Sequence, residues 1–338
     1  MSTMTMAAAL NAALRDELAA DDSVVLIGED IGTLGGVFRV TDTLQADFGP
    51  QRVIDAPLAE SGIIGTSVGM AYRGLRPVCE IQFDGFVYPG FDQLVAQVAK
   101  LHYRTRGKVR MPLTVRIPYG GGIGAVEHHS ESPEAYFAHT AGLRVVTAAS
   151  PQEAYQTLRA AIASDDPVIF FEPKGKYWTK GEVDREARAD LTTAATVLEG
   201  TDATLVAYGP MVATALDAAI AASDEGISLE VIDLRSISPI DRETVAASVR
   251  RTGRLIVTHE AAGTASVASE VITGVIEDCF EHLEAAPERV TGYDTPYPPA
   301  ALEEVFLPNL DRILDAVDRT LGRRDSRSHA PAHVEVSA

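Results

Sequence analysis

The chain has 338 residues, with 29 basic against 48 acidic side chains and a net charge of −19. That length suits two domains, and 46% apolar with 23% charged residues is an ordinary globular balance. So acidic a surface repels phosphate backbones, which disfavours nucleic acid as a partner and suits a basic protein.

No run approaches the ~20 apolar residues of a membrane span, so no membrane association is expected. Cys79 and Cys279 stand far apart and make neither a disulfide framework nor a zinc motif. We expect reduced thiols in a cytoplasmic chain. The opening MSTMTMAAALNAALRDELAADD lacks a basic start, and Arg15 is followed at once by Asp16 and Glu17. It reads as neither a secretory signal nor a transit peptide. Leu10, Leu14 and Leu18 mark one face of a first helix.

Residues 24–30 (VVLIGED) predict a buried strand. Residues 62–72 (GIIGTSVGMAY) are apolar almost all round, which predicts a helix buried on every side. A strand at 78–83, a helix near 90–105 and strands at 112–118 and 143–149 follow. Helix 151–164 and strand 168–173 close the block. Strands alternating with helices imply a mostly parallel sheet covered on both faces. The polar stretch 179–195 reads as a linker. A second α/β pattern then runs through strand 203–209, helix 211–223, strand 228–234, a helix near 241–251, strand 254–260 and a helix over 264–281. The end of the chain lacks a periodic apolar face. The expected organisation is a first domain over 1–178, a linker over 179–199, a second domain over 200–322 and a disordered tail over 323–338.

Three segments carry residues suited to chemistry. In DAPLAESGIIGTSVG (55–69), Glu60 opens a helix containing Gly65 and Gly69. A carboxylate there is an ordinary helix-start residue favoured by the macrodipole. Flanked by Leu58, Ile63 and Ile64, it is also placed for desolvation, which would raise its pKa and let it hold or share a proton. EIQFDGFVYPGFDQ (80–93) brings Phe83, Phe86, Tyr88 and Phe91 after a strand. A core explains such aromatics, and so does a flat heterocycle at the carboxyl end of an open sheet.

The third segment, IPYGGGIGAVEHHSESPE (117–134), reads as a flexible loop through Gly120, Gly121, Gly122 and Gly124, followed by His128 and His129. Adjacent histidines without a spaced third ligand are a weak metal signal, whereas a histidine near neutrality is a natural proton donor. Gly120-x-Gly122-x-x-Ala125 loosely matches a dinucleotide fingerprint. The next strand, however, ends without the acidic residue that would hold the ribose, so an NAD-dependent oxidoreductase is disfavoured.

Taken in this order, the segments closely resemble the β subunits of the thiamine-diphosphate-dependent decarboxylase of 2-oxoacid dehydrogenase complexes. The runs VLIGEDIG (25–32), APLAESGIIG (56–65), AYRGLRPVCEIQF (71–83), HHSESPEAYFAHTAGLRVV (128–146), DDPVIFFEPK (165–174), VIDLRSISPID (231–241) and THEAAGTASVASEV (258–271) carry the resemblance, which covers about residues 5–322. It implies a transketolase-like α/β fold: a pyrimidine-binding domain and a transketolase C-terminal domain, both with mostly parallel sheets. It implies thiamine diphosphate as cofactor, decarboxylation of a 2-oxo acid and transfer of the acyl fragment to a lipoyl group.

The resemblance assigns Glu60 to the aminopyrimidine ring, where it would promote removal of the C2 proton. Phe86 takes the place of the aromatic on the pyrimidine, where many relatives have Tyr. Leu58 and Gln82 become wall contacts. His129 falls near the substrate carboxylate and the lipoyl group, and His128 ranks behind it because close relatives often carry Tyr there. The family's potassium ion would fall at Met111, Leu113, Thr114, Ala161, Ser164 and Asp166, mainly on backbone carbonyls. The chain lacks the Gly-Asp-Gly motif that binds Mg²⁺ and diphosphate in this cofactor class. The family explanation is an α subunit that supplies it in an α2β2 heterotetramer, docked on a lipoyl acyltransferase core. The run EIQFDGFVYPGFDQ resembles branched-chain enzymes more than pyruvate enzymes. A pyruvate dehydrogenase β subunit is the alternative, and a non-catalytic scaffold subunit of the same fold is less favoured.

Overall fold

A computed structural model of the chain describes residues 1–323. The expected tail, 323–338, lies outside the described residues except for Arg323.

The strands are β1 Ser2–Thr5, β2 Val24–Gly28, β3 Val53–Asp55, β4 Arg76–Glu80, β5 Thr114–Tyr119, β6 Arg144–Thr147, β7 Val168–Pro173, β8 Lys180–Val183, β9 Ala195–Leu198, β10 Ala203–Ala207, β11 Leu229–Asp233, β12 Ser236–Ser238, β13 Leu255–Ala262 and β14 Glu288–Gly292. The helices are α1 Met6–Ala20, α2 Leu44–Phe48, α3 Glu60–Tyr72, α4 Tyr88–Gln93, α5 Leu101–Arg104, α6 Glu134–Ala138, α7 Pro151–Ala163, α8 Met211–Asp224, α9 Arg242–Thr252, α10 Val267–Cys279, α11 Glu303–Phe306 and α12 Leu310–Thr320.

The first sheet has the order β12-β6-β7-β5-β4-β2-β3. Its strands run parallel except β12, which pairs antiparallel with β6. The apolar run VVLIG and the strand VIFFEP, apolar up to Glu172, are buried along their whole length, as parallel strands covered on both faces require. Helix α1 covers one face: Thr5 caps it, and Met6, Leu10, Leu14 and Leu18 pack against α7. The second sheet, β14-β13-β10-β11-β9, is parallel apart from β9. Among the described residues no helix is long and apolar enough to cross a membrane.

Three expectations differ from the structure. The stretch expected as a linker, 179–199, carries two strands: β8 pairs with β1, and β9 pairs with β11. Their mostly exposed side chains gave no apolar alternation to read. The helix expected near 90–105 is broken into α4, a wider turn over Leu94–Val98 and α5. The Arg104 guanidinium takes up the freed Ala96 carbonyl at 2.7 Å. Helix α3 buries one face only. Ile63, Ile64, Ser67 and Ala71 turn inward, while Ser61, Gly62, Thr66, Gly69 and Tyr72 are exposed. Among the described residues nothing covers that outer face of small residues.

Candidate active site

Parallel strands deliver their following loops to one edge of the sheet, where open α/β folds bind ligands. For strands β3, β4 and β5, those loops are the three segments singled out in the sequence, and β2 lies between β3 and β4. Strand β2 leads to Glu29 and Asp30, β3 leads to Glu60 at the start of α3, β4 leads to Gln82, Phe83 and Phe86, and β5 leads through the glycine loop to His128 and His129.

Beneath these loops a buried ionic network ties the strand ends together. Arg116 on β5 bonds Glu80 on β4 at 2.6 Å and Glu172 on β7 at 2.6 and 2.9 Å. The Tyr177 hydroxyl donates to Glu172 at 2.6 Å. Burial pushes the Glu80 carboxyl up, against the pull of the Arg116 charge. A second buried pair joins Lys174 to Asp84, and the other Asp84 oxygen accepts the Glu131 amide at 2.8 Å. Burial raises Asp84 to about 6 although Lys174 opposes it. An unpaired charge in so dry a place is costly, so the pair fixes the backbone just after His129.

Glu60 is 7% exposed, and among the described residues its carboxylate has no hydrogen-bond partner. Its backbone lies against Gly90, where an added Cβ would sit 3.2 Å from the Glu60 carbonyl oxygen. Gly90 follows Phe86 by one helical turn, which joins the first segment to the second. The nearby Glu29 carboxyl is pushed up by burial and by the charge of Glu60, and its Oε1 is buried without a partner.

Phe86 meets Phe83 edge-on at 5.8 Å and His129 edge-on at 5.2 Å. The His129 ring lies 4.2 Å from Phe83 and 4.3 Å from His128. Gly85 allows this approach, since a Cβ there would come 2.4 Å from the His128 carbonyl oxygen. His129 Nδ1 is buried and unpartnered. Burial, then the charges of His128 and Lys174, hold the His129 imidazole below its ordinary pKa, and Glu127 opposes them. His128 is exposed. Gln82 reaches Asp30 at 3.4 Å. Leu58 is 79% exposed. The structure thus gathers Glu60, Phe86 and His129 at one sheet edge and leaves that edge open beside Leu58.

The glycine loop is not the free loop its composition suggested. Its amides are bound by Glu260 and Glu303 of the second domain. Behind the histidine segment a cavity of about 240 Å³ is lined by residues that include Tyr88, Ser130, Glu131, Tyr136, Glu260 and Tyr297. Deeper at the domain junction, Glu134 on α6 accepts the Tyr208 hydroxyl at 2.6 Å, and burial pushes its carboxyl up to about 8. The sequence reading missed Asp84, Lys174, Glu134, Glu260 and Glu303, because isolated charged residues in separate segments form no motif.

The segments expected to hold potassium do come together. The Met111 amide donates to the Asp165 carbonyl at 3.3 Å. The carbonyls of Met111, Leu113 and Ala161 each already accept a backbone hydrogen bond. Thr114 is buried in β5, and the Asp166 carboxylate takes Arg144 at 2.9 Å. The Arg76 guanidinium donates to the Ser164 carbonyl at 3.0 Å. That carbonyl keeps a second lone pair, and potassium enters no step below. Among the described residues no group of three or more His, Cys, Asp and Glu side chains could hold a metal ion.

Comparison with known proteins agrees with this architecture. Residues 2–179 match the pyrimidine-binding domain of transketolase, and residues 192–313 match the transketolase C-terminal domain. The chain is 58% identical over 322 residues to the pyruvate dehydrogenase E1 component subunit beta of Leifsonia xyli subsp. xyli, covering 95% of this chain and 96% of that protein. It is 52% identical over 321 residues to the 3-methyl-2-oxobutanoate dehydrogenase subunit beta of Mycobacterium tuberculosis, covering 94% and 92%. It is 45% identical over an alignment of 339 positions to the 2-oxoisovalerate dehydrogenase subunit beta of Pseudomonas aeruginosa, covering 95% and 96%. Among solved structures, a split-gene transketolase in an inactive β4 tetramer aligns with a TM-score of 0.79 at 22% identity, over 95% of this chain and 99% of that one. That likeness concerns the fold alone. The chain belongs to the β subunits of the E1 component of 2-oxoacid dehydrogenases, built from the pyrimidine-binding and C-terminal domains of transketolase.

Proposed function

We propose that this chain supplies the pyrimidine side of a thiamine-diphosphate site shared with an α subunit, and that the assembled enzyme decarboxylates branched-chain 2-oxo acids and acylates lipoyl groups. The observation that carries this reading is that Glu60, the first residue of α3, stands at the same strand ends as Phe86 and His129 with no hydrogen-bond partner for its carboxylate among the described residues. A carboxylate that accepts no hydrogen bond from this chain keeps its acceptor sites for a ligand at that edge.

The residues fit the cofactor. Glu60 would hold a proton against the aminopyrimidine ring, and Phe86 would offer that flat ring an apolar face. When bound, thiamine diphosphate supplies a nucleophilic C2 that takes up the 2-oxo carbon and lets carbon dioxide leave. His129, with a free ring nitrogen on the accessible side of its buried Nδ1, would hydrogen-bond the substrate carboxylate and later the lipoyl sulfur. The exposed Leu58 and the outer face of α3 suit burial against partner subunits. With no Gly-Asp-Gly segment in this chain, Mg²⁺ and the diphosphate fall to the α subunit of an α2β2 heterotetramer. The net charge of −19 suits docking to a basic segment of the lipoyl acyltransferase core.

Two substrate classes compete. The run from Glu80 to Gln93 favours branched-chain acids, as do the two relatives named for 3-methyl-2-oxobutanoate and 2-oxoisovalerate. The relative at 58% identity is named for pyruvate and favours the second reading. A pocket shaped for a branched side chain gains about 1–3 kcal/mol per methylene it fills, which is roughly 10–200-fold in specificity. The test is kcat/KM for pyruvate, 2-oxobutyrate and 2-oxoisovalerate on the enzyme reconstituted with its α subunit. We expect 2-oxoisovalerate to lead, and a clear preference for pyruvate would move the assignment to pyruvate dehydrogenase.

A further inference from the structure

The loop that delivers the histidines is held from the opposite domain. Gly120, Gly122 and Gly124 all adopt positive φ, at 82°, 84° and 69°. Backbone in this alternating conformation turns successive amides to one side and forms a nest for an anion. Two carboxylates of this same chain fill it. The Gly121 amide donates to Glu260 Oε2 at 2.9 Å, at the end of β13. The Gly122 amide donates to Glu303 Oε1 at 2.9 Å, and the Gly124 amide reaches the two Glu303 oxygens at 3.3 and 3.1 Å. The Tyr297 hydroxyl donates to Glu303 Oε1 at 2.6 Å and fixes the carboxylate's orientation. That hydroxyl sits where a side chain on residue 121 would be, since a Cβ on Gly121 would come 2.0 Å from it. On its other side the loop is closed by the Gly120 amide, which donates to the Glu131 carbonyl at 2.9 Å.

We infer that Glu303 and Glu260 are positioning residues for the active site: a latch by which the second domain sets the glycine loop and so fixes the backbone that carries His129. The chain runs from Gly124 to His129 in five steps, and the Glu131 end is pinned by Asp84 and Lys174. Removing Glu303 frees the Gly122 and Gly124 amides and leaves the glycine end of the segment held only through Gly120 and Gly121. The two glutamates make four hydrogen bonds to the amides of Gly121, Gly122 and Gly124, all within four residues of backbone. A displacement of about 1 Å at a reacting group can cost on the order of a hundredfold in rate. This inference rests on the reading of His129 as the residue at the substrate and lipoyl end of the site.

The test uses the assembled enzyme with Glu303→Ala, Glu303→Gln and His129→Ala. Amide hydrogen exchange over residues 119–129 reads the latch directly, without reference to activity. Single-turnover kinetics separate C2 proton exchange of the bound cofactor from acyl transfer to a lipoyl domain. Glu303→Ala is expected to speed exchange of the loop amides and slow acyl transfer about tenfold to a hundredfold, while C2 exchange stays within about twofold. Glu303→Gln keeps one acceptor oxygen and is expected to fall between wild type and Glu303→Ala in both readouts. It also serves if the alanine variant fails to assemble. Unchanged amide exchange in both variants would overturn the latch. Faster amide exchange with unchanged acyl transfer would overturn its role in positioning. If His129→Ala leaves acyl transfer untouched, the histidine reading fails by itself, and amide exchange still decides whether the latch exists.

Discussion

The rings of Phe83 and His129 lie 4.2 Å apart, centroid to centroid, at an interplanar angle of 53°. Phe83 also packs edge-on against Phe38 at 5.5 Å, and the Lys174 ammonium lies 5.8 Å from its centroid. Phe83 is therefore the apolar wall that keeps water from one face of the imidazole, and burial is the largest cause of that imidazole's lowered pKa. In Phe83→Ala the imidazole gains water, and its pKa is expected to rise toward the ordinary 6.5. The inflection in the pH profile of acyl transfer should then move to higher pH. An unmoved inflection in an enzyme with normal cofactor binding would show that Phe83 does not set the histidine's environment.

Glu60→Gln keeps the shape and a hydrogen bond but removes the exchangeable carboxyl proton. We expect a normally assembled enzyme that binds cofactor and exchanges its C2 proton at least about a hundredfold more slowly, within the range typical of a lost general acid or base. The measurement is hydrogen–deuterium exchange at C2 of the bound cofactor. A wild-type rate would reduce Glu60 to a helix-start residue stabilised by the α3 macrodipole.

Several of these relationships were legible in the sequence, and the reasons are physical. Glu60 announced itself because it opens an apolar, glycine-bearing helix, and Phe83 and Phe86 because they follow a buried strand. The outer face of α3 was misread because a stripe of Gly62, Thr66 and Gly69 has the same composition whether it is buried or waiting for a partner. Arg116 was read as part of a plain strand, since nothing local reveals that Glu80 and Glu172 flank it on β4 and β7. The glycine loop was read as free, because the Glu303 that binds it lies almost two hundred residues away, with a sequence separation of 181 from Gly122. The 179–199 stretch hid β8 and β9 because exposed edge strands need no apolar period. Local pattern reports local structure, and the contacts that set the site are long-range.

Glu134 gives a prediction about pH and stability. Its carboxyl is raised from 4.5 to about 8 by burial at the domain junction. Between those values the folded chain keeps a proton that the unfolded chain has lost. The stability contributed by this group is thus complete below about 4.5 and declines as pH rises toward about 8. Glu134→Gln stays neutral throughout and still accepts the Tyr208 hydroxyl. Urea midpoints at pH 5 and pH 8 should therefore fall less in the variant than in wild type. Equal falls would mean that Glu134 ionises normally in the folded protein.

The central claim is that this chain holds only the pyrimidine side of its cofactor site, and titration calorimetry tests it most directly. Thiamine diphosphate with Mg²⁺ is titrated into the purified chain alone and into the chain assembled with its α subunit. With no Gly-Asp-Gly segment to bind the metal and diphosphate, the isolated chain is expected to give no saturable heat at micromolar cofactor, whereas the assembled enzyme binds it. Micromolar, Mg²⁺-dependent binding by the isolated chain would contradict the shared-site account.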